Sequence, residues 1–128
     1  MTTEQERGTE PIVITLGGVE YEAKLPDYEA SFELQIAWSA NKIRGACALL
    51  GTCLPRLMPA GVTYEAHNYN AMHYGTVVWR ELRRRGIEVG EIVGASTPLA
   101  IAVTRAAYPA GVEDRVLFTE APEEAQTS

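Results

Sequence analysis

The chain has 128 residues, 46% of them hydrophobic and 22% charged, with a formal net charge of −6. That length suits one domain able to bury a core without disulfides or metal, and the balance excludes a chain disordered throughout. The negative charge argues against nucleic acid as the main partner, because phosphate binding calls for a basic surface.

Residues 1–10 are polar and aperiodic, so a flexible N-terminal lead is expected. They carry no apolar signal core, and no apolar run in the chain approaches the roughly 20 residues that cross a bilayer. The two cysteines, Cys47 and Cys53, are too few for a secreted disulfide scaffold. A cytoplasmic protein without a membrane partner is the expectation.

A β-hairpin comes next. Residues 12–16 (IVITL) are apolar and β-branched, Gly17-Gly18 supplies a two-residue turn, and 19–25 (VEYEAKL) alternates. Val19, Tyr21, Ala23 and Leu25 point one way, and Glu20, Glu22 and Lys24 the other. Pro26 stops the second strand.

Asp27 is placed to cap a helix from Tyr28. On it Phe32, Ile36 and Ile43 share one stripe, with Leu34 and Trp38 as an i,i+4 pair beside it. The helix either runs to Leu50 or bends near Asn41 or Gly45, and Gly51 and Pro55 mark its end or a second break. Residues 46–58 carry few charges and are expected to be buried. After a loop at 59–61, Thr63 or Asn68 caps a helix whose stripe is Met72, Thr76, Trp79 and Leu82. Its C-terminal arginines suit the helix dipole, and Gly86 closes it. A short helix over 87–93 breaks at Gly94, and Ser96 or Thr97 caps a last one with Pro98 in its first turn. Leu99, Ala102, Val103 and Ala106 form its stripe. Residues 112–118 read as a short strand, which would pair with the hairpin, or as an extended strap.

The expected fold is therefore mainly α, formally α+β. An N-terminal two-stranded antiparallel β-hairpin (12–25) precedes a bundle of about four to five helices (27–108), in a single domain over 11–118. Residues 119–128 form an acidic tail without large apolar groups and are expected to be disordered.

Constellations that carry chemistry are not found. His67 and His73, six apart, would lie about 240° apart on a helix, and Cys47 and Cys53 share that spacing. No HExxH, GxSxG or phosphate-binding glycine motif occurs, and Gly86, Gly90 and Gly94 read as helix ends and turns. No metal, cofactor or enzymatic activity is expected. The basic cluster of Arg80 and Arg83 to Arg85 reads as solvated helix-end charge or as a docking patch for acidic groups. Tyr64, Tyr69 and Tyr74, with Asn68 and Asn70, have the polar-aromatic makeup of an interface. A two-stranded ribbon leaves both edges open to a partner strand. The candidate partner-binding residues are thus Ile12, Ile14 and Tyr21 of the hairpin, and Arg80, Arg83 and Arg84.

The order of these features resembles the small tail assembly chaperones of long-tailed bacteriophages and related gene transfer particles. The resemblance rests on the polar lead, the hairpin around ITLGGVEYE, the helix end VWRELRRRG at 78–86, the short Glu-Ile-Val helix after it and the acidic tail. It covers roughly residues 11–108. It implies a non-enzymatic protein that escorts the long helical tape measure protein and helps recruit tail tube subunits, then leaves. A homo-oligomer and a longer form made by ribosomal frameshifting would be in keeping with it. The competing expectation is a structural virion protein, such as a head–tail adaptor or minor tail component.

Overall fold

The structure, a computed structural model, describes residues 12–107. Among them a two-stranded antiparallel hairpin precedes four α-helices and one 3-10 turn. The expected lead at 1–10, the strand or strap at 112–118 and the acidic tail lie outside the described residues.

Strand β1 (Ile12–Leu16) pairs with β2 (Val19–Ala23) in the register Leu16↔Val19, Ile14↔Tyr21 and Ile12↔Ala23. Gly17 and Gly18 have φ of 61° and 80°. Positive φ at both central residues is what a tight hairpin turn requires. Ile14 and Leu16 are buried, Tyr21 and Ala23 pack against the core, and Val13, Thr15, Glu20 and Glu22 face out. Val19 keeps its expected side, opposite Leu16, but at the turn it is half exposed. The second strand ends before Leu25 because the Lys24 N–H leaves the ladder and donates to the Cys53 carbonyl at 2.7 Å.

Helix α1 (Tyr28–Ala40) starts as expected, with Asp27 Oδ1 accepting from the Ala30 N–H at 2.8 Å. It stops at Asn41, whose backbone is extended. The Asn41 N–H donates to the Ala37 carbonyl, and its side chain accepts from the Arg44 N–H. One residue therefore closes α1 and caps α2 (Lys42–Cys53). The buried face of α1 is Ser31, Leu34, Ala37 and Trp38. Phe32 and Ile36, expected to form the main stripe, are each 46% exposed. The helix is rotated by its contact with α2, where a Cβ on Gly45 would lie 2.2 Å from Trp38 Cα.

Helix α2 is the centre of the fold. Gly45 to Gly51 are all buried, as is Cys53, and a helix buried all round belongs inside a bundle. Helix α3 (Ala71–Arg84) crosses it closely, since a Cβ on Gly75 would stand 2.2 Å from the Arg44 carbonyl oxygen. The cap of α3 is Asn70, which accepts from the His73 N–H at 3.0 Å. Thr63 lies before the 3-10 turn (Glu65–His67), where its hydroxyl accepts from the Ala66 N–H at 3.1 Å, and Asn68 leaves that turn in the left-handed region. The buried stripe of α3 is Ala71, Tyr74, Gly75, Val78 and Leu82. It keeps Leu82 from the expected stripe and leaves Met72, Thr76 and Trp79 half-buried. Gly86 closes the helix at φ 83°, with the Gly86 N–H on the Arg83 carbonyl and the Ile87 N–H on the Leu82 carbonyl. That pair of bonds is the Schellman end, sealed by burial of Ile87 near Leu82.

The expected break at Gly94 does not occur. Helix α4 (Val89–Ala107) runs unbroken with Pro98 inside it. Ser96 and Thr97 start no new helix; their hydroxyls donate to the Val93 carbonyl at 2.8 and 3.0 Å. Pro98 removes one ladder bond, a loss of about 3 kcal/mol. Ile92, Leu99, Ala100 and Val103 form one buried face across the interruption, and each large apolar side chain among them contributes about 1.5–3 kcal/mol. Burial wins, so the expected bundle of four to five helices contains four among the described residues. The hairpin is pinned to α4 at its turn, where the Gly17 N–H donates to Glu91 Oε2 at 2.6 Å. Among the described residues no helix is long and apolar enough to cross a membrane.

Candidate partner-binding groove

The first turns of α1, the end of α2 and the connection between α2 and α3 enclose a groove of about 880 Å³. Its floor is built by Tyr74, the first large buried side chain of α3. The Tyr74 hydroxyl lies 3.3 Å from the Gly51 carbonyl and 3.2 Å from the Val62 carbonyl, linking both walls. Tyr64 packs on it with ring centroids 6.0 Å apart. Tyr69 meets Tyr64 edge-on at 5.4 Å.

Tyr69 has φ of 55°. A bulky residue in the left-handed region stores strain of about 1–2 kcal/mol. Two bonds hold it there: its N–H donates to the Tyr64 carbonyl at 3.2 Å, and the Tyr64 hydroxyl donates to the Tyr69 carbonyl at 2.9 Å. The result is an aromatic ring 60% exposed at the lip of the groove. On the opposite lip stands Phe32 at 46% exposure, with Tyr28 one turn before it. The Thr52 hydroxyl is buried in the groove lining and has no hydrogen-bond partner among the described residues.

The groove is electrically one-sided. Asp27, Glu29, Glu33 and Glu65 line it, and among the described residues no lysine or arginine does. Asp27 is engaged as the α1 cap. Tyr64 is pushed up to about 12 by burial first and then by the Glu33 and Asp27 carboxylates. Tyr74 rises to about 12 by burial and by Glu65. Both phenols therefore stay protonated at neutral pH, in a negative field.

The hairpin residues read as partner-binding lie elsewhere and differ from expectation. Ile14 is 4% exposed, and Ile12 and Tyr21 pack against the same core. Their side chains are spent on the fold because the ribbon needs a helical layer beneath it. The large apolar groups the hairpin leaves exposed are Val13 and Val19. Both outer edges remain without a partner strand among the described residues.

Most of the arginines are also occupied. Arg83 Nη1 donates to the Ile87 carbonyl at 2.9 Å and its guanidinium lies 5.6 Å from the Trp79 ring centre. Arg84 and Arg85 both hold Glu81, at 2.6 and 2.8 Å, and Arg85 also donates to the Leu57 carbonyl. Arg80 alone of the four makes no such contact among the described residues. The cluster thus ties the end of α3 to the segments around it. Hydrogen bonds from Arg84 and then Arg85 hold the Glu81 carboxyl down at about 2, from its ordinary 4.5. A depressed carboxyl adds stability above its unfolded pKa, and that stability is lost as pH falls through the folded one. The clamp should be whole above pH 4.5 and fail toward pH 2. Carboxyl-carbon NMR should find Glu81 still ionised at about pH 3; titration near 4.5 would mean the two arginines are not bound to it.

The histidines come together against expectation. His67 sits on the 3-10 turn rather than on α3, and the left-handed backbone at Asn68 and Tyr69 folds its ring back to 5.0 Å from His73. No group of three or more His, Cys, Asp or Glu side chains able to hold a metal occurs among the described residues. Cys47 and Cys53 are buried free thiols pushed up to about 12 by burial, so neither is a ready nucleophile.

The arrangement is suited to holding an apolar segment between aromatic lips. The sequence flagged Tyr64, Tyr69 and Tyr74 but not the α1 wall that faces them. No protein-family model, no curated protein and no solved structure matches the chain.

Proposed function

We propose that this protein is a tail assembly chaperone of a long-tailed bacteriophage or related gene transfer particle. It escorts the tape measure protein in the host cytoplasm, helps recruit tail tube subunits and performs no catalysis. The observation that carries the reading is the aromatic groove, whose rings Phe32 and Tyr69 are held outward, one of them at the cost of backbone strain. A tape measure helix exposes long apolar stripes that would otherwise aggregate. A groove with aromatic anchors receives such a stripe as helix-in-groove, and tyrosines concentrate binding energy at such sites. The open hairpin edges offer a second surface for the tube subunit by strand addition.

Co-expression with the tape measure protein of the same particle tests this. The expected result is a soluble complex that co-purifies, and loss of that complex with Phe32→Glu while the variant itself stays folded. A tape measure protein that remains insoluble beside the parent chain would sink the proposal. Retention of the chain in finished particles would favour a head–tail adaptor or minor tail component instead.

A further inference from the structure

Helix α1 presents two parallel rows to solvent beside the groove. Tyr28, Phe32 and Ile36 follow one another at i,i+4, and all three are about half exposed. Glu29 and Glu33 follow at i,i+4 immediately alongside. Successive members of each row are about 6 Å apart along the helix, so the apolar row is roughly 12 Å long. Glu65 stands on the other wall of the groove, on the 3-10 turn. Among the described residues Glu29, Glu33 and Glu65 form no ion pair, and no cationic side chain lines the groove to balance them.

We infer that the segment this groove takes is a basic amphipathic helix, with apolar residues against Phe32 and Tyr69 and lysine or arginine flanks meeting Glu29, Glu33 and Glu65. This rests on the reading of the groove as the partner site and adds the chemistry of the partner. Two features specify it. The apolar row has the repeat of a helix face, so a second helix lying along it matches anchor to anchor at the same spacing. The carboxylates stand on both walls of the groove, so a cation of the partner turned to either wall finds an opposite charge and an anion is repelled. Such rim charges set partner choice and association rate more than the depth of binding. The chain's own net charge of −6 reinforces the attraction at long range.

The test uses the full chain and three synthetic helical peptides with one shared apolar face, flanked by lysine, glutamine or glutamate. Binding is read by fluorescence anisotropy at about 50 mM and about 500 mM salt, where the screening length shrinks roughly threefold. At low salt the lysine peptide should bind about tenfold tighter than the glutamine peptide, and the glutamate peptide most weakly. High salt should collapse the three toward one affinity. The variant Glu29→Gln/Glu33→Gln/Glu65→Gln, checked for an unchanged melting curve, should bind the lysine and glutamine peptides alike. Equal affinity of the lysine and glutamine peptides for the parent chain overturns the inference, as does a lysine preference that survives in the triple variant. If all three bind alike and Phe32→Asp abolishes all three, the groove stands and only its charge reading falls. If none binds, the groove reading falls with it. Displacement of the lysine peptide by argininamide at similar concentration would mark a site for small cations and overturn the helix.

Discussion

Replacing Gly75 with alanine should lower the melting temperature by more than about 10 °C. The added Cβ would stand 2.2 Å from the Arg44 carbonyl oxygen and 3.0 Å from its carbon. Backbone cannot rotate aside as a flexible side chain can. Nor is Arg44 free to retreat: its N–H is held by the Asn41 side chain. The same turn of α2 is pressed from another direction by α1, where Gly45 faces the Trp38 backbone at 2.2 Å from its would-be Cβ. Helix α3 must therefore move off α2 as a unit, opening the buried contacts of Tyr74, Val78 and Leu82. Overpacking a rigid site costs about 1–3 kcal/mol, and forced separation of two helices belongs at the upper end or beyond. In a domain this size about 3 kcal/mol corresponds to roughly 10–20 °C. Gly94→Ala supplies the control. Nothing lies within 4 Å of its Cβ position inside α4, so the same substitution should add about 0.5–1 kcal/mol by helix propensity. Differential scanning calorimetry on both variants decides the matter, and a Gly75→Ala midpoint within a few degrees of the parent would rule out this packing of α2 and α3.

Where the sequence was legible, one local rule was enough. Gly17-Gly18 between alternating strands specifies a hairpin with its register, and Asp27 specifies a helix start. The failures share a different cause: several local rules were satisfied at once, and a distant contact chose among them. On α1 the Phe32/Ile36 and Leu34/Trp38 stripes have the same period, and only Gly45, by admitting the Trp38 backbone, determines which one is buried. Before α3, Thr63, Asn68 and Asn70 all have cap-competent side chains; the left-handed pair Asn68 and Tyr69 makes Asn70 the one that fits. In α4, Gly94 and Pro98 are local stop signals overruled by an apolar face continuous from Ile92 to Val103. The groove was half visible. Its tyrosine wall stood out in the sequence as a cluster, but the wall of Phe32, Glu29 and Glu33 could be seen only once α1 was known to turn that side outward. The misplaced stripe on α1 and the missed wall are thus one error.

Tyr69→Gly should leave stability nearly unchanged and, under the proposed function, reduce tape measure binding by about 30-fold or more. The two halves of that expectation come from different atoms. Glycine relieves the left-handed backbone of about 1–2 kcal/mol of strain. Loss of the edge-on contact with Tyr64 takes back about 0.5–1.5 kcal/mol. Little burial is forfeited, because the ring is 60% exposed. The bond from the Tyr64 hydroxyl goes to the backbone carbonyl and survives the change, so the loop keeps its course and the midpoint should stay within about 5 °C of the parent. An aromatic anchor that a partner covers is another matter, since its truncation can cost about 2 kcal/mol or more. Tyr69→Phe, which keeps the ring, should bind nearly as the parent does. A residue whose part is only to shape the loop would give the opposite pattern: a shifted melting curve with binding lost only in proportion. Calorimetric melting and titration of the same three proteins separate the two cases. If Tyr69→Gly binds as tightly as the parent, the strain at this position serves some other end, and the tape measure segment does not seat between Tyr69 and Phe32.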